Sequence, residues 1–292
     1  MLCAKFVCFG REMKGKALEK IISETVDIPS LPAVAAKVMK LMDSEYASVD
    51  ELEGIIQIDQ ALSTRLLRIA NSAYYLKGRR IDSVSSAIIQ IGFKTMKSLV
   101  VATSIKDIHR KFGLFEQKLW EHGLGVSIAA SMIAKETRMA SADEALVAGL
   151  IHDVGKTVLN NSMSETYALV VEKVYGGEMS FVDAENEMLD FNHCSVGGFV
   201  ARKWKLPKNL EMVIEYHHSD TFPAQDEGVD ETLCQIVKVA DALCLNLGIG
   251  FQNLNIPIDI ESIGLTEERL DELKKNVELA YSEQKADLLG SN

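Results

Sequence analysis

The stretch AGLIHDVGKTVL, Ala148 to Leu159, sets an imidazole beside a carboxylate between two apolar runs, with a glycine and a lysine just behind. A core finds both groups costly to bury, and a surface has no need of the flanking Leu, Ile and Val. The chain has six histidines, and all but His109 share this setting. His122 lies in LWEHGLGVSIAA, His152 precedes Asp153, His193 opens HCSVGGFVARKW, and His217 and His218 end LEMVIEYHH. Asp241 stands in IVKVADALCL. Imidazole and carboxylate are ligands that zinc, iron and manganese accept, and neighbouring helices can converge them in a bundle core. Successive helical residues do not share a face. His217 and His218 would therefore serve two ions, or one ion and a substrate group, and Asp153 could bridge a pair.

Each residue taken alone also has a simpler role. A histidine on an apolar helix is more often a satisfied core residue than a ligand. Asp153 could cap the following turn, Asp241 could pair with Lys238, and His217 and His218 could close an exposed helix end. His109, in IKDIHRKF, reads as a surface residue.

Helices must position these groups, because the chain offers little else. Ser48 and Glu51 form a capping-box pattern before an apolar run. Asp59 can cap QALSTRLLRIANSAYY, where Leu62, Leu66, Ile69 and Ala73 recur at helical spacing. AIIQIGFKTMKSLVVATSIKDI reads as two helices hinged near Gly92. Further helices are predicted over roughly 116–137, 141–151, 163–175, 180–191, 193–204, 207–218, 230–248 and 265–285. Strand alternation and hairpin dipeptides are essentially missing. The predicted fold is all-α, a multi-helix bundle preceded by a smaller N-terminal helical unit. The divisions fall at 1–27, 28–112, 113–250 and 251–292. In the last of them Leu270, Leu273, Val277 and Ala280 line one side of an amphipathic helix, which would dock on its own core; a homodimer or partner contact is the alternative.

The 292 residues are 47% hydrophobic and 25% charged, the balance of a globular protein rather than a disordered one. No apolar run approaches the roughly 18 residues of a membrane span, and MLCAKFVCFGREMKGK lacks the pattern of a secretory signal. Met13 could equally be the start. The five cysteines (Cys3, Cys8, Cys194, Cys234, Cys244) include no C-x-x-C pair and read as buried free thiols of a cytoplasmic protein. The net charge of −11 is uneven: residues 1–110 hold 16 Lys and Arg against 12 Asp and Glu, the rest 15 against 30. The acidic part argues against general polyanion binding. The excess of four cations in the first part is too small to argue for nucleic acid. GLIHDVGKT misses the phosphate-loop pattern, because five residues rather than four separate Gly149 from Gly155.

HD followed by VGK, with an upstream histidine and a later VADAL, resembles the HD superfamily of metal-dependent phosphohydrolases. IPSLPAVAAKVMKLMDSEYASVDELEGIIQIDQALSTRLLRIANSAYY and IDSVSSAIIQIGFKTMKSLVVATS narrow the likeness. With them, the stretch from about Ile28 to about His218 resembles the HDOD domain, a bacterial signalling relative of the HD-GYP phosphodiesterases. The resemblance implies an all-helical bundle that acts in signal transduction through protein partners, generally without demonstrated enzyme activity. It also implies that His122, His152, Asp153, His193, His217, His218 and Asp241 match the HD-GYP metal ligands in order. The ions implied are one or two of iron, manganese or zinc. Lys156 matches the lysine of HD-x-x-K, a phosphate contact or partner of the bridging Asp153. If the chain is active, Asp153 and Lys156 carry the chemistry, and a nucleotide or cyclic dinucleotide is the substrate of a metal-dependent phosphohydrolase. Two departures speak for the regulatory reading. HHSDTFPAQDEG offers only Phe222-Pro223 where the family carries Gly-Tyr-Pro, and Lys118 stands one turn before His122, where a cation opposes a further metal.

Overall fold

A computed structural model of the protein describes residues 18–42, 47–71, 75–76, 78–108, 113–177, 179–222, 231–251 and 255–289. Among them there is helix and no strand, as the sequence predicts. His109, Ala73, Cys3, Cys8, Met13 and the sequence from Pro223 to Asp230 lie outside the described residues.

A helical segment over 18–25 (α1) leads into α2 (Ala33–Met42), α3 (Val49–Gln57) and α4 (Gln60–Ala70). The predicted caps are present: the Ser48 hydroxyl accepts from the Glu51 N–H at 3.1 Å, and the Glu51 carboxylate accepts from the Ser48 N–H at 3.1 Å. The Asp59 carboxylate accepts from the Leu62 N–H at 2.9 Å. Gly92, with φ at 95°, joins α5 (Val84–Ile91) to α6 (Phe93–Ser104) at a bend of 115°. A side chain would be strained at that φ, which places the hinge at the glycine. No single described helix is long and apolar enough to cross a membrane. The bent pair α5–α6 passes by length and composition only, and its apolar side chains other than the exposed Ile89 mostly belong to the core.

After Gly113 comes α7 (Leu114–Thr137), a 24-residue helix buried along most of its middle. It packs on α8 (Ala142–Ile151) and on α14 (Glu231–Asn246). Between these in the chain come α9 (Val154–Ser162), α10 (Ser164–Tyr175), α11 (Phe181–Leu189), α12 (His193–Lys203) and α13 (Lys208–Tyr216). The last helix, α15 (Glu267–Leu289), docks on α7 and α4, with Leu270, Leu273, Val277 and Ala280 all buried. That is the intramolecular docking its stripe predicts. One apolar core runs from Ile22 in α1 to Val277 in α15.

Candidate metal centre

His152 and Asp153 occupy the joint between two helices, not the body of one. His152 is the C-cap of α8, and Asp153 is the residue before α9, at φ −93° and ψ 16°. That bridge conformation turns the chain, so the adjacent imidazole and carboxylate enter one pocket instead of opposite faces. Asp153 makes no cap hydrogen bond with its side chain, so the simpler capping role is not the one it plays. α7 brings His122, the first residue of α12 brings His193, the end of α13 brings His217 and His218, and α14 brings Asp241. Side chains from all over the second half of the chain converge.

Four of the imidazoles are held alike. Nδ1 of His122 lies 3.1 Å from the Ile249 carbonyl, and that of His152 lies 2.8 Å from the Gly149 carbonyl. Nδ1 of His193 lies 2.6 Å from Glu185 Oε2, and that of His217 lies 3.0 Å from the Val213 carbonyl. A carbonyl or carboxylate oxygen only accepts, so each Nδ1 carries a proton, and Nε2 of His152 and of His193, which meet no hydrogen-bond partner, presents its lone pair. All four Nε2 atoms point inward. His152 Nε2 lies 3.4 Å from Asp153 Oδ2, His193 Nε2 lies 3.4 Å from Asp153 Oδ1, and His217 Nε2 lies 3.6 Å from the same Oδ1. His122 Nε2 lies 2.8 Å from Asp241 Oδ1, and His218 Nδ1 lies 3.9 Å from Asp241 Oδ2.

Between Asp153 and the rings of His152 and His193 lone pairs face lone pairs, whereas His122 Nε2 is within hydrogen-bond distance of Asp241 Oδ1. His152 Nε2, His193 Nε2 and Asp153 Oδ1 are buried without a hydrogen-bond partner, which a folded protein rarely tolerates. Ligand atoms bonded at about 2.1 Å to one ion lie roughly 3.0–3.4 Å apart, according to its coordination number. The observed separations are of this size. The donor set of imidazole nitrogen and carboxylate oxygen therefore fits a transition-metal cation. Two groups of atoms could hold one each, since the ligand atoms within each group lie within 4.8 Å of one another: His122, His152 and Asp153 in the first, His193, Cys194, His217 and His218 in the second. His217 and His218 fall in one group rather than on separate faces because α13 ends at Tyr216. Asp153 turns Oδ2 to the first group and Oδ1 to the second.

The electrostatics agree. Burial opposes ionisation of Asp153 and Asp241, but His152 and Lys156 at the one, and His122 at the other, outweigh it. Both carboxyls sit well below the usual carboxylate range. Burial also opposes the Lys156 charge, yet Asp153, 2.7 Å from Nζ, raises that amine above its ordinary value. Burial and the neighbouring His217 push the His218 imidazole well below its usual value, which leaves its nitrogens free of a second proton near neutrality. Two buried aspartates and Glu185 against one lysine leave an excess of negative charge that a cation would balance.

Several groups in and around the pocket were not singled out by sequence reasoning. Glu185 is fully buried; its Oε2 accepts from the His193 backbone N–H at 2.7 Å and from the ring, while Oε1 accepts from the Tyr167 hydroxyl at 2.6 Å. Burial and Glu185 raise the Tyr167 pKa well above its ordinary value, so its hydroxyl stays a donor. The signal was present: Glu185 falls one turn after Phe181 and one turn before Leu189, a charge inside an apolar stripe. Cys194 is a buried thiol, as predicted, and its Sγ lies 3.9 Å from His217 Nε2. Lys118 pairs with the buried Glu121 at 3.7 Å. One alternative needs correction. Lys238 reaches Asp220 rather than Asp241, leaving Asp241 to His122.

One side of the centre is open. His218, Asp241 and Lys156 form part of the wall of a cavity of about 480 Å³, whose other walls include Phe181, Phe222 and Phe251. Lys156 Nζ stands 4.5 Å from the Phe181 ring centre and 5.7 Å from that of Phe251, within cation–π range.

An all-helical bundle that converges an HD pair, five further imidazole or carboxylate groups and a lysine has the design of HD-superfamily proteins. The model of the HDOD domain matches residues 28–220, and the chain belongs to that family, which is related to the HD phosphohydrolases. A protein of unknown function with an HDOD domain from Geobacter sulfurreducens superposes with a TM-score of 0.70 at 24% identity, covering 95% of each chain. A candidate phosphohydrolase from Shewanella amazonensis SB2B superposes at 0.68 and 22% identity, over 93% of this chain and 97% of that one. A candidate metal-dependent phosphohydrolase from the same organism superposes at 0.62 and 20% identity, over 95% and 98%. These likenesses establish the fold. Among curated proteins, one from Treponema pallidum (strain Nichols) is 24% identical over 209 residues, 70% of this chain but 40% of that protein. YuxH of Bacillus subtilis is 22% identical over 42% of this chain and 30% of its own length, so the chain spans well under half of each.

Proposed function

We propose that this chain is a bacterial HDOD regulatory module of the cytoplasm that holds one or two divalent transition-metal ions and acts on signalling proteins by binding them. Its metal ligands are His122, His152, Asp153, His193, His217, His218 and Asp241. The observation that carries the metal centre is the trio of buried atoms without partners, His152 Nε2, Asp153 Oδ1 and His193 Nε2, with His193 Nε2 3.4 Å from that oxygen and His152 Nε2 3.4 Å from the other oxygen of Asp153. The signalling role is supported by membership of the family and by the sequence after His218, which lacks the Gly-Tyr-Pro stretch of the phosphodiesterase relatives.

A second reading, a metal-dependent phosphohydrolase acting on a nucleotide or cyclic dinucleotide, is favoured by the cavity at His218, Asp241 and Lys156. When bound, a metal in such a site supplies an activated water and a Lewis acid for a phosphoryl oxygen. The chain's own part would be to hold the phosphate near Lys156 and stack an aromatic moiety on Phe181 or Phe251. Metal analysis of the purified protein tests the first premise. One to two ions of iron, zinc or manganese per chain are expected, and essentially none in a His152→Ala/Asp153→Ala double variant. A metal-free wild type would sink both readings. Hydrolysis of bis-p-nitrophenyl phosphate or a cyclic dinucleotide by the loaded wild type, and not by the double variant, would favour the second reading over the first.

Glu185 offers a subtler check. Glu185→Gln keeps the shape but replaces one acceptor oxygen by an amide, weakening its hold on the His193 ring. Outer partners of ligating histidines typically matter by about 10–100-fold in metal affinity. A loss of that size, measured by competition with a chelator at unchanged circular dichroism, is the expected result.

A further inference from the structure

We infer that Cys194 is itself a ligand, so that His193, Cys194, His217 and His218 form a nitrogen–sulfur site that selects zinc over manganese. This rests on the metal reading above and names a residue which that reading does not contain.

Cys194 follows His193 in the first turn of α12 and is 7% exposed. A buried cysteine ordinarily acts as a small hydrophobe. The surroundings of this one are polar. Its Sγ lies 3.9 Å from Nε2 and 4.0 Å from Nδ1 of His217, and all four ligand atoms of the group fall within 4.8 Å of one another. A thiolate and an imidazole sharing a tetrahedral zinc, with bonds of about 2.3 and 2.1 Å, are roughly 3.6 Å apart. The observed gap is close to that span. The second, independent observation is His193 Nε2, fully buried, without a partner and aimed into the same group. Nδ1 of His193 is tied to Glu185, and Nδ1 of His217 is tied to the Val213 and Ile214 carbonyls, so each ring offers Nε2.

The chemistry discriminates between metals. Thiolate is a soft ligand suited to zinc, whereas manganese favours carboxylate, carbonyl and water. Binding takes the thiol proton into solvent, leaving a thiolate, and no electron is transferred.

Cobalt(II) loading of the full chain tests this. Wild-type protein is expected to show the near-ultraviolet sulfur-to-cobalt charge-transfer band together with visible ligand-field bands. Cys194→Ser should lose the first and keep the second, while Cys234→Ser keeps both. Zinc-over-manganese selectivity, measured by competition, should fall at least about tenfold in Cys194→Ser. Should that variant fold poorly, X-ray absorption at the zinc edge of the wild type must still show a sulfur neighbour at about 2.3 Å. Ligand-field bands without charge transfer, a band that survives in Cys194→Ser, or a shell of nitrogen and oxygen alone would overturn the inference and leave the metal centre standing. Failure to take up either metal would overturn both.

Discussion

Asp153→Ala is expected to abolish metal retention and to destabilise the metal-free protein as well. The two losses have separate causes. Each oxygen of Asp153 faces a different group of imidazoles, so no other single side chain serves both. The stability loss comes from Lys156, which is 5% exposed and has Asp153 as its closest counter-charge, 2.7 Å away. Removing one partner of a buried ion pair strands the other, at a cost of about 3–5 kcal/mol. For a chain of this size that is a Tm lower by roughly 10 °C. Replacing the lysine too, in Asp153→Ala/Lys156→Met, should restore most of the Tm and none of the metal. Calorimetry of the metal-free proteins, with metal analysis alongside, separates the effects. A double variant as unstable as the single one would show that Lys156 is not the source of the loss.

Gly155→Ala, a single added methyl, should be as damaging. A Cβ at Gly155 would lie 1.9 Å from the His193 carbonyl oxygen and 3.0 Å from the Gly197 backbone nitrogen. Both obstacles are main chain, so no side chain can rotate away, and α9 and α12 must separate. Overpacking of cores typically costs about 1–3 kcal/mol, and a rigid backbone clash belongs at the top of that range or above it. The displacement also opens the 3.4 Å gap between Asp153 and His193, so metal content should fall with stability. Gly54→Ala, in α3, is the matched control: nothing lies within 4 Å of its added Cβ, and it should raise stability by up to about 1 kcal/mol through helix propensity alone. Equal melting temperatures for Gly155→Ala and wild type would mean that α9 slides over α12 without cost.

The same contact explains which part of the fold the sequence hides. The predicted helices from residue 116 onward match those observed within a few residues, because each carries a repeating apolar stripe and punctuated ends. α9 was not among them. Its sequence, VGKTVLNNS, holds a glycine, two asparagines, two valines and a threonine, and its propensity is poor. It is helical because Gly155 allows it to lie directly on α12, a tertiary reason with no local signature. QALSTRLLRIANSAYY shows the opposite error, since α4 already ends at Ala70, where Asn71 turns to bond Ile81. The candidate ligands are legible because histidine and aspartate are conspicuous in apolar helices. Their supports were not, since backbone carbonyls such as Ile249 and Gly149 leave no mark on residue type. Glu185 and Glu121 were absorbed into the general acidity of the second half. Glu121 is 3% exposed and is bonded by Gln117 and Lys285, and no count of charges distinguishes it from a solvated carboxylate.

The span between His122 and its two anchors bears on how the protein is made. Asp241 follows it by 119 residues and Ile249 by 127. At the roughly 5–20 residues per second of translation, the ring of His122 leaves the ribosome about 6–24 s before the groups that will hold it. Through that interval the side of α7 destined for α14 stands uncovered, a surface for chaperones to shield. A metal bound at this centre would thereby enter late in biogenesis, in chains that have already closed.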